Sequence, residues 1–124
     1  MEWDYNYVIA IDYDGTLCRD RYNNVLDEDI LYFAKRMKNL GCVIILWTSR
    51  CNRELQEAID LCASRGLYFD YVNKYPKRTT SPKVCADLYV DNKSVPDGKI
   101  PVKKFYKQVI KELNTGKYVL IKRI

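Results

Sequence analysis

The sequence predicts an α/β fold built around a mainly parallel sheet. Two near-continuous β-branched runs, "YVIAI" (Tyr7 to Ile11) and "CVIIL" (Cys42 to Leu46), read as strands covered on both faces. Apolar residues return at helical spacing between them, and the alternation of strand and helix then repeats, as βαβ units require.

Taken in order, Tyr7 to Ile11 is the first strand. Ile30, Phe33, Ala34, Met37 and Leu40 mark the first helix, with Asp27 or Asp29 as N-cap and Gly41 just past the end. After the second strand, Leu55, Ala58, Ile59 and Cys62 mark a helix that starts at Asn52 and stops near Gly66. "YFDYV" (Tyr68 to Val72) reads as a third strand and "DLYV" (Asp87 to Val90) as a fourth. Val102, Phe105, Val109 and Leu113 form the buried stripe of a third helix, and "YVLIKRI" (Tyr118 to Ile124) reads as a final strand at a sheet edge, given its charges.

The chain has 124 residues, 48% of them hydrophobic and 30% charged, which fits one globular domain over residues 1–124 and not a disordered or membrane-spanning chain. No apolar run approaches the length needed to cross a bilayer, and the start "MEWDYNY" is acidic where a secretory signal is basic, so a cytoplasmic protein is expected. Five cysteines without a CxxC pair point to reduced thiols, not to a disulfide framework or a zinc site. There is no histidine, so acid-base chemistry falls to carboxylates, lysine, tyrosine or cysteine, and no His-based triad can form. The net charge of +5 permits an anionic partner without demanding one.

Asp12 ends the first strand, Thr48 follows the second and Asp91 ends the fourth. In a parallel sheet these ends share one edge, where open α/β folds place their sites. Asp12 and Asp14, with Asp91 converging, repel one another unless a cation lies among them. Oxygen ligands without histidine suit a hard divalent ion, Mg²⁺ above all. Read singly, each residue also has a plainer role: Asp12 and Asp14 as turn formers, Thr48 as a helix cap, Lys83 as an exposed lysine, Arg50 as a surface residue opening a helix. Cys18 and Cys51 fall near the same edge and are assigned no chemistry.

"DYDGTL" (Asp12 to Leu17) resembles the first motif, DxDGT, of the haloacid dehalogenase superfamily, and the other motifs follow in order. "IILWTSR" is similar to the second at Thr48, "SPK" supplies the lysine of the third at Lys83, and "ADLYVDN" is similar to the fourth at Asp91. Lys83 is preferred to Lys74 because it lies in the short turn leading into the fourth strand. The resemblance implies a Rossmann-like three-layer sandwich. Asp12 would be the nucleophile that forms an aspartyl-phosphate, and Asp14 the general acid and then the base for water. Mg²⁺ would be held by the Asp12 carboxylate, the Asp14 backbone carbonyl and Asp91. Thr48, Ser49, Arg50 and Lys83 would bind the substrate, with Thr48 and Lys83 on the transferring phosphoryl oxygens. An acid at Asp14 implies phosphomonoester hydrolysis, because the dehalogenases of this superfamily lack it and the P-type ATPases carry Thr there.

Asn92 stands where the fourth motif often has a second acid, and Asp87, ahead of the apolar triplet, is given a structural role. The segments after Gly15 and from Asn73 to Pro82 are too short to fold as a cap domain, so the site is expected to be open. The alternatives are a phosphotransferase using the same intermediate and a noncatalytic module binding anions or nucleic acid. A phosphate-accepting signalling domain would carry its acceptor on a middle strand, which is the wrong order. Lys104, Lys107 and Lys111 occupy one face of the third helix, with Lys103, Lys117, Lys122 and Arg123 nearby in sequence. That face is either a solvated surface or a contact for a large, phosphorylated polyanion such as an oligonucleotide end. Oligomerisation is left open, and no membrane partner is expected.

Overall fold

The β-branched run Val8-Ile9-Ala10-Ile11 cannot pack its side chains on a helix as well as on a pleated sheet, and it forms β1 (Val8–Asp12). The computed structural model describes residues 4–78, 83–92 and 100–120. After β1 come β2 (Cys18–Asp20), β3 (Val25–Leu26), α1 (Glu28–Asn39), β4 (Val43–Trp47), α2 (Asn52–Ser64), β5 (Tyr71–Val72), β6 (Leu88–Val90) and α3 (Val102–Leu113). The main sheet has the order β5-β4-β1-β6 with every pairing parallel, and β2 with β3 makes a separate antiparallel hairpin. This is the α/β, Rossmann-like sandwich the sequence predicts. Among the described residues neither connection inserts a cap.

Strand alternation sorts the core into two layers. Ile9, Ile11, Ile44, Leu46, Leu88 and Val90 face one side with buried residues of all three helices, including Ile30, Phe33 and Met37 of α1, Ala58 and Cys62 of α2, and Phe105 and Val109 of α3. Val8, Ala10, Val43 and Ile45 face the other side, where Tyr75 and Val84 cover them. Among the described residues, the layer opposite the helices is built by chain without helix.

Helix α1 starts where Asp27 accepts the Ile30 N–H at 2.9 Å, which selects Asp27 over Asp29 as its cap. Gly41 and Gly66 follow α1 and α2 at φ +99° and +84°, the left-handed conformation that releases a chain from a helix. The third strand is shorter than "YFDYV" suggests. The Asp70 side chain, not its neighbours' backbone, accepts the Ile44 N–H at 2.8 Å, so the ladder opens only at Tyr71. Asp87 does the same for β6: its Oδ2 accepts the Val8 N–H at 2.8 Å and binds Arg78 at 3.1 Å, which bears out its structural role.

Two expectations differ. The β2–β3 hairpin was not anticipated; it is turned by Asp20, which accepts the Tyr22 and Asn23 N–H groups, and by Asn24 at φ 52°. Tyr118 to Leu120 form no strand, although the Val119 N–H donates to the Tyr5 carbonyl at 2.8 Å; the remainder of that expected strand, 121–124, lies outside the described residues. Among the described residues no helix is long and apolar enough to cross a membrane.

Candidate functional site

Parallel pairing of β1 with β4 and β6 sets Asp12 level with Trp47, and Ile11 level with Val90. Thr48 and Asp91 are each the next residue along, so three strand ends deliver Asp12, Thr48 and Asp91 to one edge. Tyr13 follows Asp12 with its side chain fully buried, which leaves Asp12 and Asp14 partly exposed on either side of it.

The Asp12 carboxyl is held above its usual range. Burial is the main cause; the negative charges of Asp91 and Asp14 add to it, while hydrogen bonds from the Thr16 side chain and the Tyr13 backbone oppose it. Thr16 donates to Asp12 Oδ2 at 3.1 Å and accepts the Asn92 N–H at 3.1 Å, tying the loop after β1 to the end of β6. Between them Gly15 adopts φ +84°, and a Cβ there would meet the Asn92 amide nitrogen at 2.7 Å. The Asn92 side chain closes on this glycine.

Asp14 is held by Arg50. The Arg50 Nε and one terminal nitrogen donate to the two Asp14 oxygens at 2.9 and 2.8 Å, a fork matched to a carboxylate. Arg50 is 8% exposed, its guanidinium lies 4.8 Å from the Tyr13 ring centroid, and its backbone N–H donates to Thr48 Oγ1 at 3.1 Å. Its pKa is raised, chiefly by the hydrogen bonds to Asp14. The arginine expected at the surface is thus buried and bound to Asp14, and it also lines a pocket beside the site.

Thr48 is clamped from the other side by Asn73, at φ 56°, whose Oδ1 accepts the Thr48 N–H at 2.8 Å and whose Nδ2 donates to the Thr48 carbonyl at 2.9 Å. Ser49 is exposed beside it. Lys83 is exposed, with its ammonium 4.1 Å from the Tyr89 ring centroid. Thr16 and Asn73 were missed by the sequence reading; the final Thr of "DYDGT" was the available signal for the first. A pocket of about 270 Å³ opens beside Arg50, lined also by Arg21, Ser49, Cys51, Asn52, Arg53 and one acid, Glu54.

Among the described residues no three carboxylate or thiol side chains gather into a metal cage. The residues present still fit a hard cation. Asp12 and Asp91 bring two negative charges together, and with the Asp14 side chain engaged by Arg50, a third oxygen would come from the Asp14 main chain.

No family model and no curated protein matches the chain. A solved structure of a conserved protein from Bacteroides thetaiotaomicron does, with a TM-score of 0.72 and 33% identity over 86% of this chain and 92% of that one. The chain belongs to the family of that conserved protein. The likeness extends over nearly the whole of both chains.

Proposed function

We propose that the protein is a phosphomonoester hydrolase of the haloacid dehalogenase superfamily, working through an aspartyl-phosphate on Asp12. The observation that carries this reading is the meeting of Asp12, Asp91 and the Arg50-bound Asp14 at one sheet edge. Asp12 and Asp91, with the Asp14 carbonyl, would hold Mg²⁺, which when bound cancels charge between a carboxylate and the phosphoryl group it approaches.

An Asp12 oxygen attacks phosphorus, and the bond from phosphorus to the leaving oxygen breaks as that oxygen takes a proton from Asp14. Water then attacks the phosphorus of the aspartyl-phosphate and gives its proton to Asp14; the bond to Asp12 breaks and inorganic phosphate leaves. Thr48, Ser49 and Lys83 stabilise the phosphoryl oxygens. Both Asp14 oxygens accept from Arg50, and proton delivery is eased when Arg50 yields one of these bonds, although each oxygen keeps a second lone pair. The neighbouring arginine-lined pocket offers the guanidinium an anionic group of the substrate in exchange.

The test is turnover of a generic aryl phosphate with Mg²⁺. Wild-type protein should hydrolyse it and lose the activity on adding EDTA, and Asp12→Asn should be inactive while folded. Full turnover by Asp12→Asn would remove the nucleophile assignment. An added alcohol that captures the phosphoryl group in place of water would mark a phosphotransferase.

A further inference from the structure

A large groove lies away from the three carboxylates. It holds about 940 Å³ between α1 and α3 and is lined by Asp29, Tyr32, Arg36 and Phe33 on one side and Lys103, Tyr106 and Lys107 on the other. Phe33 and Phe105 meet beneath it with ring centroids 6.1 Å apart. A second cavity of about 410 Å³ continues it along α3, sharing Tyr106 and Lys107 and adding Ile110 and Lys111.

The cations of α3 on this groove are Lys103, Lys107 and Lys111, a row at every fourth residue and so about 6 Å apart along the helix axis. Lys104, expected to belong to this face, does not line it. Arg36 faces the row from α1, donating to the Tyr32 and Tyr106 hydroxyls at 3.2 and 3.3 Å, with its guanidinium 5.4 Å from the Tyr106 ring centroid. Tyr32 is 63% exposed. Asp29 is the one acid among the residues lining the two cavities.

We propose that this groove binds single-stranded nucleic acid, with bases on the Tyr32 and Tyr106 rings and phosphates on Arg36, Lys103, Lys107 and Lys111. The exposed Tyr32 ring and the half-buried Tyr106 ring, which already holds the Arg36 guanidinium near it, lie inside a cationic channel, the combination that unpaired bases and their backbone use. An apolar helix of a partner protein would bury four cations against the single carboxylate of Asp29, a cost that a polyanion avoids. Two cavities in line favour a strand over a single nucleotide. The groove begins at the first turns of α1 and α3, and α1 starts at the sheet edge that carries Asp12. The inference therefore extends the phosphatase reading by naming its substrate class as a terminally phosphorylated single strand.

Binding is tested apart from catalysis, by fluorescence anisotropy with a short, labelled oligothymidylate that has no terminal phosphate. Wild-type protein should bind it at low salt, with log K falling against log salt by about 0.7 for each phosphate engaged. Changing Lys103, Lys107 and Lys111 together to Gln should weaken binding at least tenfold, a rough figure, and flatten that slope by about two. Tyr106→Ala should weaken it by roughly 5–150-fold, while Tyr106→Phe should bind nearly as wild type, since the ring and not the hydroxyl carries the stacking. Circular dichroism melts establish that each variant is folded. No binding at low salt, unchanged affinity in the lysine and Tyr106→Ala variants, or equal competition by inorganic polyphosphate would each overturn the proposal. Aryl phosphate turnover by the wild type is measured separately, so a groove that binds in an inactive protein refutes only the phosphatase reading.

Discussion

Arg50 grips Asp14 through both carboxylate oxygens, at 2.9 and 2.8 Å, while its own side chain is 5% exposed. Arginine is required here because the two bonds come from one planar fork, which lysine lacks. Arg50→Gln is expected to lower kcat for an aryl phosphate by roughly 10–1,000-fold, because a misplaced acid forfeits much of the 10²–10⁴ that general acid catalysis supplies. Arg50→Lys should not restore it. Stability should fall by about 2–3 kcal/mol, less than for a wholly buried pair because Asp14 is partly exposed. A variant with kcat near wild type would show that Asp14 needs no such guide.

Asp14→Asn separates the proton transfers from the attack on phosphorus. Turnover should drop by roughly 10²–10⁴-fold, and a phosphorylated protein should accumulate after brief mixing with substrate, because water is no longer activated. Intact-mass spectrometry reads the added phosphoryl group. Its absence from a slow but active Asp14→Asn, together with persistence in Asp12→Asn, would place the covalent bond elsewhere.

Gly15→Ala tests the loop that joins the two carboxylate-bearing strand ends. A Cβ faces both the φ of +84° and the Asn92 amide at 2.7 Å, so a loss of about 1–3 kcal/mol is expected in denaturant unfolding. Asn92→Ala added to Gly15→Ala should recover part of that loss, since it removes the collision but not the backbone strain. Additive effects in the double variant would mean the two residues do not meet.

Alkaline stability follows from buried thiols. Burial pushes Cys42 and Cys62 from 9.0 up to about 12. The folded chain keeps these protons after the unfolded chain has released them, so their contribution is complete below pH 9.0 and is lost as pH rises to about 12. Each should steepen the fall by about 1.4 kcal/mol per pH unit within that window. The denaturant midpoint should begin to drop above pH 9, less steeply in a Cys42→Ala, Cys62→Ala protein. Tyr118, pushed from 10.0 to about 12 chiefly by burial, keeps some slope in place. An equal slope in both proteins would assign the loss to other groups.

The long strands and all three helices were legible because each states its environment in a continuous run: β1 and β4 are apolar on both faces, and α1 to α3 keep one apolar stripe. The register that gathers Asp12, Thr48 and Asp91 followed from parallel pairing alone. What stayed hidden depends on contacts distant in sequence. Arg50 is ordinary until Asp14, 36 residues away, turns it inward. Asn73 is a loop residue until Thr48 lies against it. The hairpin was missed because β3 is two residues long and carries no alternation to read.

Asp70 and Asp87 stand at the starts of the two outermost strands of the main sheet, and each takes an N–H of its inner neighbour on a side-chain oxygen. Strands of two and three residues contain too few side chains to identify their own alignment, and a slip by one residue would turn each inside out. One carboxylate meeting one amide supplies a fixed index mark instead. The position of Asp91 relative to Asp12 is thus set at the opposite end of β6, by Asp87, and an error there would be transmitted along the strand to the edge that carries both carboxylates.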